Sequence, residues 1–309
     1  MAITVLIKIF EMFVIFFCGI LVYKVKLIDS SAVTKMSNLL LMVISPLLVF
    51  ESYQVDFNTE LLQGLLWTLF ASVLTYILTI ILSELIFRQK NSRTPVEKAA
   101  CVYSNCAFFG IPLINSILGQ EGVFYITAFS TVFNLVLWTH GVLIMDRNAA
   151  KGGISLSNLR NLINPAIIAV VAGLFCFVLQ IRLPEILNEP LTMIADMNTP
   201  IAMIIAGANL AQSDFLHSLK NKRLYFISFL KLIAFPAACL VILKLLPLTF
   251  PVAFTTFIAV ACPTATTTVM FADRYDQDAP FASELFVLTT LLSAVTIPLL
   301  SLLAEQVLR

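Results

Sequence analysis

Apolar residues run along this chain in stretches of about 20, separated by short polar breaks, and a stretch of that length predicts a helix that crosses a membrane. Ten are predicted, at residues 3–23, 36–53, 61–87, 99–118, 122–145, 162–181, 191–211, 224–246, 252–272 and 281–307. Runs such as IAVVAGLFCFVL at 168–179 are continuously apolar rather than alternating, which argues against the strands of a membrane barrel. The expected fold class is therefore all-α and integral to the membrane.

Composition agrees with the pattern. Of 309 residues 60% are hydrophobic and 12% charged, against roughly 25% charged in an ordinary soluble domain. The first apolar stretch carries Lys8 and Glu11 ahead of FVIFFCGILV, and no small-residue cleavage pattern follows, so it reads as a retained helix.

The small net charge hides an asymmetry. One alternate set of loops holds Lys24, Lys26, Lys35, Arg88, Lys90, Arg93, Lys98, Arg147, Lys151, Arg160, Lys220, Lys222, Arg223 and Arg274; the other holds Arg182, Lys244 and Arg309. By the positive-inside rule the first set is cytoplasmic, which predicts a multi-pass protein of the cytoplasmic membrane with both termini outside. Topology and contact with membrane lipid account for these basic loops, and no nucleic acid partner is expected. Cys18, Cys101, Cys106, Cys176, Cys239 and Cys262 lie in apolar spans without metal-ligand spacing; they read as small hydrophobes, and neither a metal nor a cofactor is expected.

The polar stretch DRNAAKGGISLSNLRN divides the chain into a first five-helix repeat at 1–145, a cytoplasmic linker at 146–161 and a second repeat at 162–309. Five crossings per half put the halves into the membrane in opposite orientations, the arrangement of inverted-repeat transporters. Gly19 precedes Pro46 by 27 residues, and Gly173 precedes Pro200 by the same 27. Each of these prolines follows a hydroxyl residue, and an Asp-Phe pair, Asp56-Phe57 or Asp214-Phe215, follows each segment.

Pro112 and Pro263 fall near the centres of the fourth and ninth spans. Proline lacks an N–H and collides with the carbonyl four residues back, so each span is expected to open there, at the carbonyls of Phe108 and Ala259. Freed backbone in hydrocarbon must face protein or a polar cavity, and two equivalent breaks suggest one shared site. The half-helices beyond would present free N–H groups from Leu113 to Asn115 and from Thr264 to Thr266, ends that favour an anion. Ser104, Asn105, Asn115, Thr264, Thr266, Thr267 and Thr268 add side-chain donors. With no Arg or Lys nearby in sequence, dipoles and amides would hold the anion.

At these residues the chain resembles the auxin efflux carrier family, which includes plant auxin exporters and bacterial malate permease-like proteins. NCAFFGIPLI from Asn105 is similar to the family's N-x-x-x-x-G-I-P-L pattern, and CPTATTTVMFADRY from Cys262 to its P-x-x-x-x-x-x-x-F-A-x-x-Y pattern. PLLVF at Pro46, NPAII at Asn164 and AGANLAQ at Ala206 extend the resemblance over nearly the whole chain. The short 146–161 linker resembles the bacterial branch.

The resemblance implies an elevator-type carrier of a carboxylate such as malate. Helices 1, 2, 6 and 7 would form a scaffold, with a possible homodimer formed through it, and helices 3–5 and 8–10 a moving transport domain. It marks Asn105 as the first substrate ligand, with Gly110, Pro112, Leu113, Pro263, Thr264 and Thr266 around the crossing, and more weakly Asn134 and, from the scaffold, Ser45. A larger aromatic or amphipathic acid is the alternative cargo.

Ionisable residues inside spans are further candidates. His140 titrates near neutrality and could carry a coupled proton, or serve as a hydrogen-bonding residue between helices. Glu284 and Asp196 are other possible coupling groups, for H+ or Na+. Lys8 and Glu11 share a helical face and could neutralise one another; Lys231 is expected to snorkel to the cytoplasmic surface. DRYDQD at 273–278 reads as a solvated loop. An intramembrane enzyme would need a catalytic motif such as HExxH or GxSxG, and a channel a filter or a charged ring; the sequence shows neither.

Overall fold

The computed structural model describes residues 2–89, 91–146, 165–212 and 221–309. Most of the 146–161 linker, Lys90, Arg147, Lys151, Arg160, Asn164, Asp214, Phe215 and Lys220 lie outside the described residues. The helices are α1 (Ala2–Lys24), α2 (Ser30–Ser52), α3 (Thr59–Ile86), α4 (Thr94–Val102), α5 (Cys106–Met145), α6 (Pro165–Leu179), α7 (Glu185–Asp196), α8 (Asn198–Gln212), α9 (Lys222–Leu245), α10 (Phe250–Ala261), α11 (Thr266–Arg274) and α12 (Ala279–Leu308). Among the described residues seven helical runs are long and apolar enough to cross a membrane; α6 and α10 are shorter apolar helices.

Local chemistry fixes several ends. Asp29 caps α2 by accepting from Ala32 N at 2.7 Å, and Asn58 caps α3 by accepting from Glu60 N at 2.8 Å. The fourth and fifth spans were expected to part between residues 118 and 122, and α5 bends sharply at Gly119, whose φ of 64° and ψ of −150° suit glycine.

Helix α3 shows how these helices sort their faces. Thr68, Ser72, Thr75, Thr79 and Ser83 are buried, while Leu66, Phe70, Val73, Ile77, Ile81 and Leu85 are exposed. The small hydroxyl residues turn inward, and all but Ser83 bond to their own backbone, as Thr68 Oγ1 does to Gly64 O at 2.7 Å and Ser72 Oγ to Thr68 O at 2.6 Å. Large apolar side chains are left to meet lipid.

Three prolines, Pro112 among them, which was expected to open its helix, are absorbed within helices instead. A π-turn precedes each: Leu40–Ile44 before Pro46, Cys106–Gly110 before Pro112 and Leu230–Ala234 before Pro236. The residue just ahead of the proline donates five positions back, Ser45 N to Leu40 O, Ile111 N to Cys106 O and Phe235 N to Leu230 O. Widening the turn moves aside the carbonyl that the ring would strike.

The helices pack as two groups. Helix α1 lies along α8, while α2 packs on α6, α7 and α8. In the second group α3 packs on α5, α9 and α10, and α12 on α9, α10 and α11. The groups meet where α1 touches α12 and where α5 touches α2 and α8. The α1–α8 contact is backbone to backbone: a Cβ added at Gly207 would lie 1.9 Å from the carbonyl oxygen of Phe16. Ion pairs tie the helix ends, with Arg182 to Asp56 at 2.6 Å, Arg93 to Asp278 at 2.8 Å and Arg223 to the buried Glu97 carboxylate at 2.8 and 2.9 Å.

Candidate functional site

Two extended segments meet inside the second group. Helix α4 stops at Val102 and α5 begins at Cys106; α10 stops at Ala261 and α11 begins at Thr266. Between them, Ser104 and Thr264 form an antiparallel bridge. Asn105 N donates to Pro263 O at 2.8 Å, and Ala265 N donates to Tyr103 O at 2.9 Å. The hydroxyls complete a reciprocal stitch: Ser104 Oγ donates to Val260 O at 3.0 Å, and Thr264 Oγ1 to Ala100 O at 3.0 Å. Each break thus satisfies a carbonyl in the last turn of the opposite half-helix, which keeps buried backbone paired.

The break in the fourth span differs from the one expected. It falls at Tyr103 to Asn105, not at Pro112. Gly110, Pro112 and Leu113 lie beyond it in continuous helix, so the N–H groups of Leu113 to Asn115 are not the free ones. Gly110 still touches the crossing, since a Cβ there would stand 3.2 Å from Cys262 Sγ. In the ninth span the break does fall at Pro263, with Thr264 and Thr266 beside it.

The helix ends give the crossing its polarity. Asn105 caps α5, its side-chain oxygen accepting from Phe108 N at 3.3 Å. Ala265 offers α11 no side-chain cap, and the buried hydroxyls of Thr267 and Thr268 have no partner among the described residues. An uncapped N-terminus with spare donors attracts negative charge.

Lys231 corrects another expectation. It does not snorkel: it is 1% exposed, and its Nζ donates to Ser104 Oγ at 2.6 Å and to Val260 O at 3.4 Å. A lysine amine therefore sits at the C-terminal end of α10, with the Val260 carbonyl of its last turn as one acceptor. Behind Ser104 and Val260 the packing closes with Thr75, Tyr76, Thr79, Val102 and Phe129, leaving no room for a water, and the buried Tyr76 hydroxyl has no partner among the described residues.

The other candidates are dispersed. His140 Nδ1 lies 2.8 Å from the hydroxyl of Tyr103, so it reaches the crossing through that tyrosine. Asn134 Nδ2 donates to Ser130 O at 2.8 Å within its own helix. Ser45 Oγ donates to Asn198 Oδ1 at 2.7 Å, joining α2 to α8, and the buried Asn198 amide nitrogen has no partner among the described residues. Glu284 is half-buried near the start of α12, and Asp196 is exposed at the end of α7. Lys8 and Glu11 pair at 2.9 Å on one face. Asp278 of the DRYDQD loop caps α12 by accepting from Phe281 N at 3.1 Å.

A family described as membrane transport protein matches residues 4–301. The chain belongs to the auxin efflux carrier family. That family is one of membrane transport and not of enzymes, and with several long apolar helices the carrier is a multi-pass membrane protein. No curated protein matches it.

The sequence reading missed three residues of the carrier's crossing and its surroundings, Tyr103, Thr289, whose hydroxyl accepts from Thr264 N at 3.1 Å, and Asn198, and it placed Lys231 at the surface. A signal existed for Lys231. A lysine nine positions inside an apolar helix is costly in hydrocarbon unless it faces a polar interior.

Proposed function

We propose that the protein is a secondary active transporter of small organic anions, carboxylates such as malate. The observation that carries this reading is the crossing itself: the uncapped start of α11 with its spare threonine hydroxyls, the capped start of α5 at Asn105, and one buried lysine close by. Such a set attracts an anion through dipoles and hydrogen bonds yet lets it leave.

The proposed movement is of the elevator type. The grouping of α1, α2, α6, α7 and α8 apart from α3–α5 and α9–α12 supports a scaffold and a transport domain. The reciprocal stitch between Tyr103–Asn105 and Pro263–Ala265 supports ten crossings in two inverted repeats, as does the pairing of α1 with α8 and of α6 with α2. The Lys and Arg bias supports a cytoplasmic membrane location with both termini outside. A homodimer through the scaffold belongs to the same proposal.

Uptake of labelled malate into proteoliposomes tests the reading, comparing the wild-type carrier with Asn105→Ala under a proton and under a sodium gradient. Saturable uptake with counterflow, weakened in the variant, is the expected result. Uptake that does not saturate and shows no counterflow would mean a channel. Uptake of an aromatic acid in place of malate would move the cargo to the larger class.

A further inference from the structure

The amine of Lys231 lies in a place where a positive charge would lack compensation. Among the described residues it has no ion pair; its acceptors are one hydroxyl and one carbonyl. The titratable groups facing it are the thiols of Cys101 on α4, Cys106 on α5, Cys239 on α9 and Cys262 beside α10. Helix α3 brings Tyr76, whose buried hydroxyl has no partner among the described residues, up to Ser104 and Val260. Helix α12, which packs on the same turn of α9, buries the hydroxyls of Thr289, Thr290 and Ser293; its Glu284 is only half-buried and makes no ion pair with Lys231. The Glu97 and Arg223 charges near Cys101 are spent on each other at 2.8 and 2.9 Å.

A buried charge without a counter-charge is expensive, and a counter-charge brought close removes much of that expense. Ser104 links Lys231 to the crossing, for the Nζ rests on the hydroxyl of the residue that precedes Asn105. An anion at the crossing would therefore stabilise the charged lysine, and by linkage the charged lysine stabilises the bound anion to the same degree.

We infer that Lys231 carries a coupling proton: the amine takes up one proton from water as the anion binds, and the ammonium returns it to water as the anion leaves. One proton then crosses with each anion, so a malate dianion crosses with one net negative charge. The tethered cation fills the role that a free metal cation would otherwise have, so the inference predicts transport without sodium. It rests on the organic anion reading above.

The test is the affinity for malate in detergent or nanodiscs between about pH 6.5 and about pH 9.5, where malate's own carboxylates stay ionised. Wild-type affinity should weaken as pH rises, by up to about tenfold per pH unit. Lys231→Met should bind weakly and without this slope. Lys231→Arg, whose guanidinium does not titrate in this range, should bind well with no slope. Malate binding that is pH-independent in the wild type, or a slope that persists in Lys231→Arg, overturns the coupling role and leaves the anion carrier standing. Failure to bind malate, lactate or an aromatic acid at any pH overturns both. If Lys231→Met does not fold, wild type against Lys231→Arg decides alone.

Discussion

The backbone N–H of Asn105 donates to the carbonyl of Pro263 at 2.8 Å, so the residue proposed as the first anion ligand also anchors the crossing without using its side chain. Asn105→Ala should therefore keep the break. It removes the cap on Phe108 N, which costs about 0.5–2 kcal/mol of stability, and one amide from the site. The expected outcome is a small fall in melting temperature and about a tenfold rise in transport KM, the loss of a hydrogen bond worth ~1.4 kcal/mol. Unchanged KM in a folded variant would remove Asn105 from the site.

Ser104 and Thr264 look equivalent in the stitch but should not respond alike. Thr264→Val leaves the Ala100 carbonyl without its hydroxyl donor, an expected cost of about 1 kcal/mol. Ser104→Ala removes a donor from Val260 and also the closest acceptor of Lys231, so about 1–3 kcal/mol is expected. Thermal melts of both single variants check the order; equal losses would mean that Lys231 gains nothing from Ser104.

Pro112→Ala should be mild. The break depends on paired backbone at Tyr103 to Asn105, while Pro112 lies in continuous helix behind a π-turn. Loss of the ring should change stability by about 1 kcal/mol or less, mainly through the unfolded chain. Proteoliposome uptake should stay close to wild type, and abolished uptake in a folded protein would show that the proline itself shapes the crossing.

Gly207→Ala should be severe. The added methyl would meet a backbone carbonyl at 1.9 Å, and backbone in a packed helix cannot swing aside as a side chain does. A loss of about 1–3 kcal/mol or more is expected, read as a large drop in melting temperature. A variant as stable as wild type would mean that α1 and α8 separate freely.

Much of the frame was legible in the sequence because hydrocarbon permits few alternatives. A long apolar run must close its own hydrogen bonds, so predicted spans such as 61–87 and 281–307 reappear as α3 and α12 within a few residues. The break at Pro263 was legible for the same reason. The one at Tyr103 was not, since it is held by partners far away in sequence, and the local signal, Pro112, is accommodated by a wider turn. Lys231 was misread because its distance from the helix end allows snorkelling; only the neighbour, Ser104 of another helix, decides where the ammonium goes.

The π-turns carry a consequence for how these helices are wound. One residue added to a turn advances everything after it by about 100° around the axis. Lys231 sits inside such a turn, ahead of Pro236. Residues before and after it on α9 therefore obey two different phases of the same screw, and an amphipathic stripe drawn through both would be out of step. Deleting one residue from Leu230–Ala234 would restore a single phase and leave the far half of the helix, Cys239 and Leu243 included, facing the partners it now packs against, while the turn itself loses its widened form. Inserted residues of this kind are thus a means of aiming the side chains of the turn itself, Lys231 among them, and a single-residue deletion here should be felt at Lys231 more than along the rest of α9.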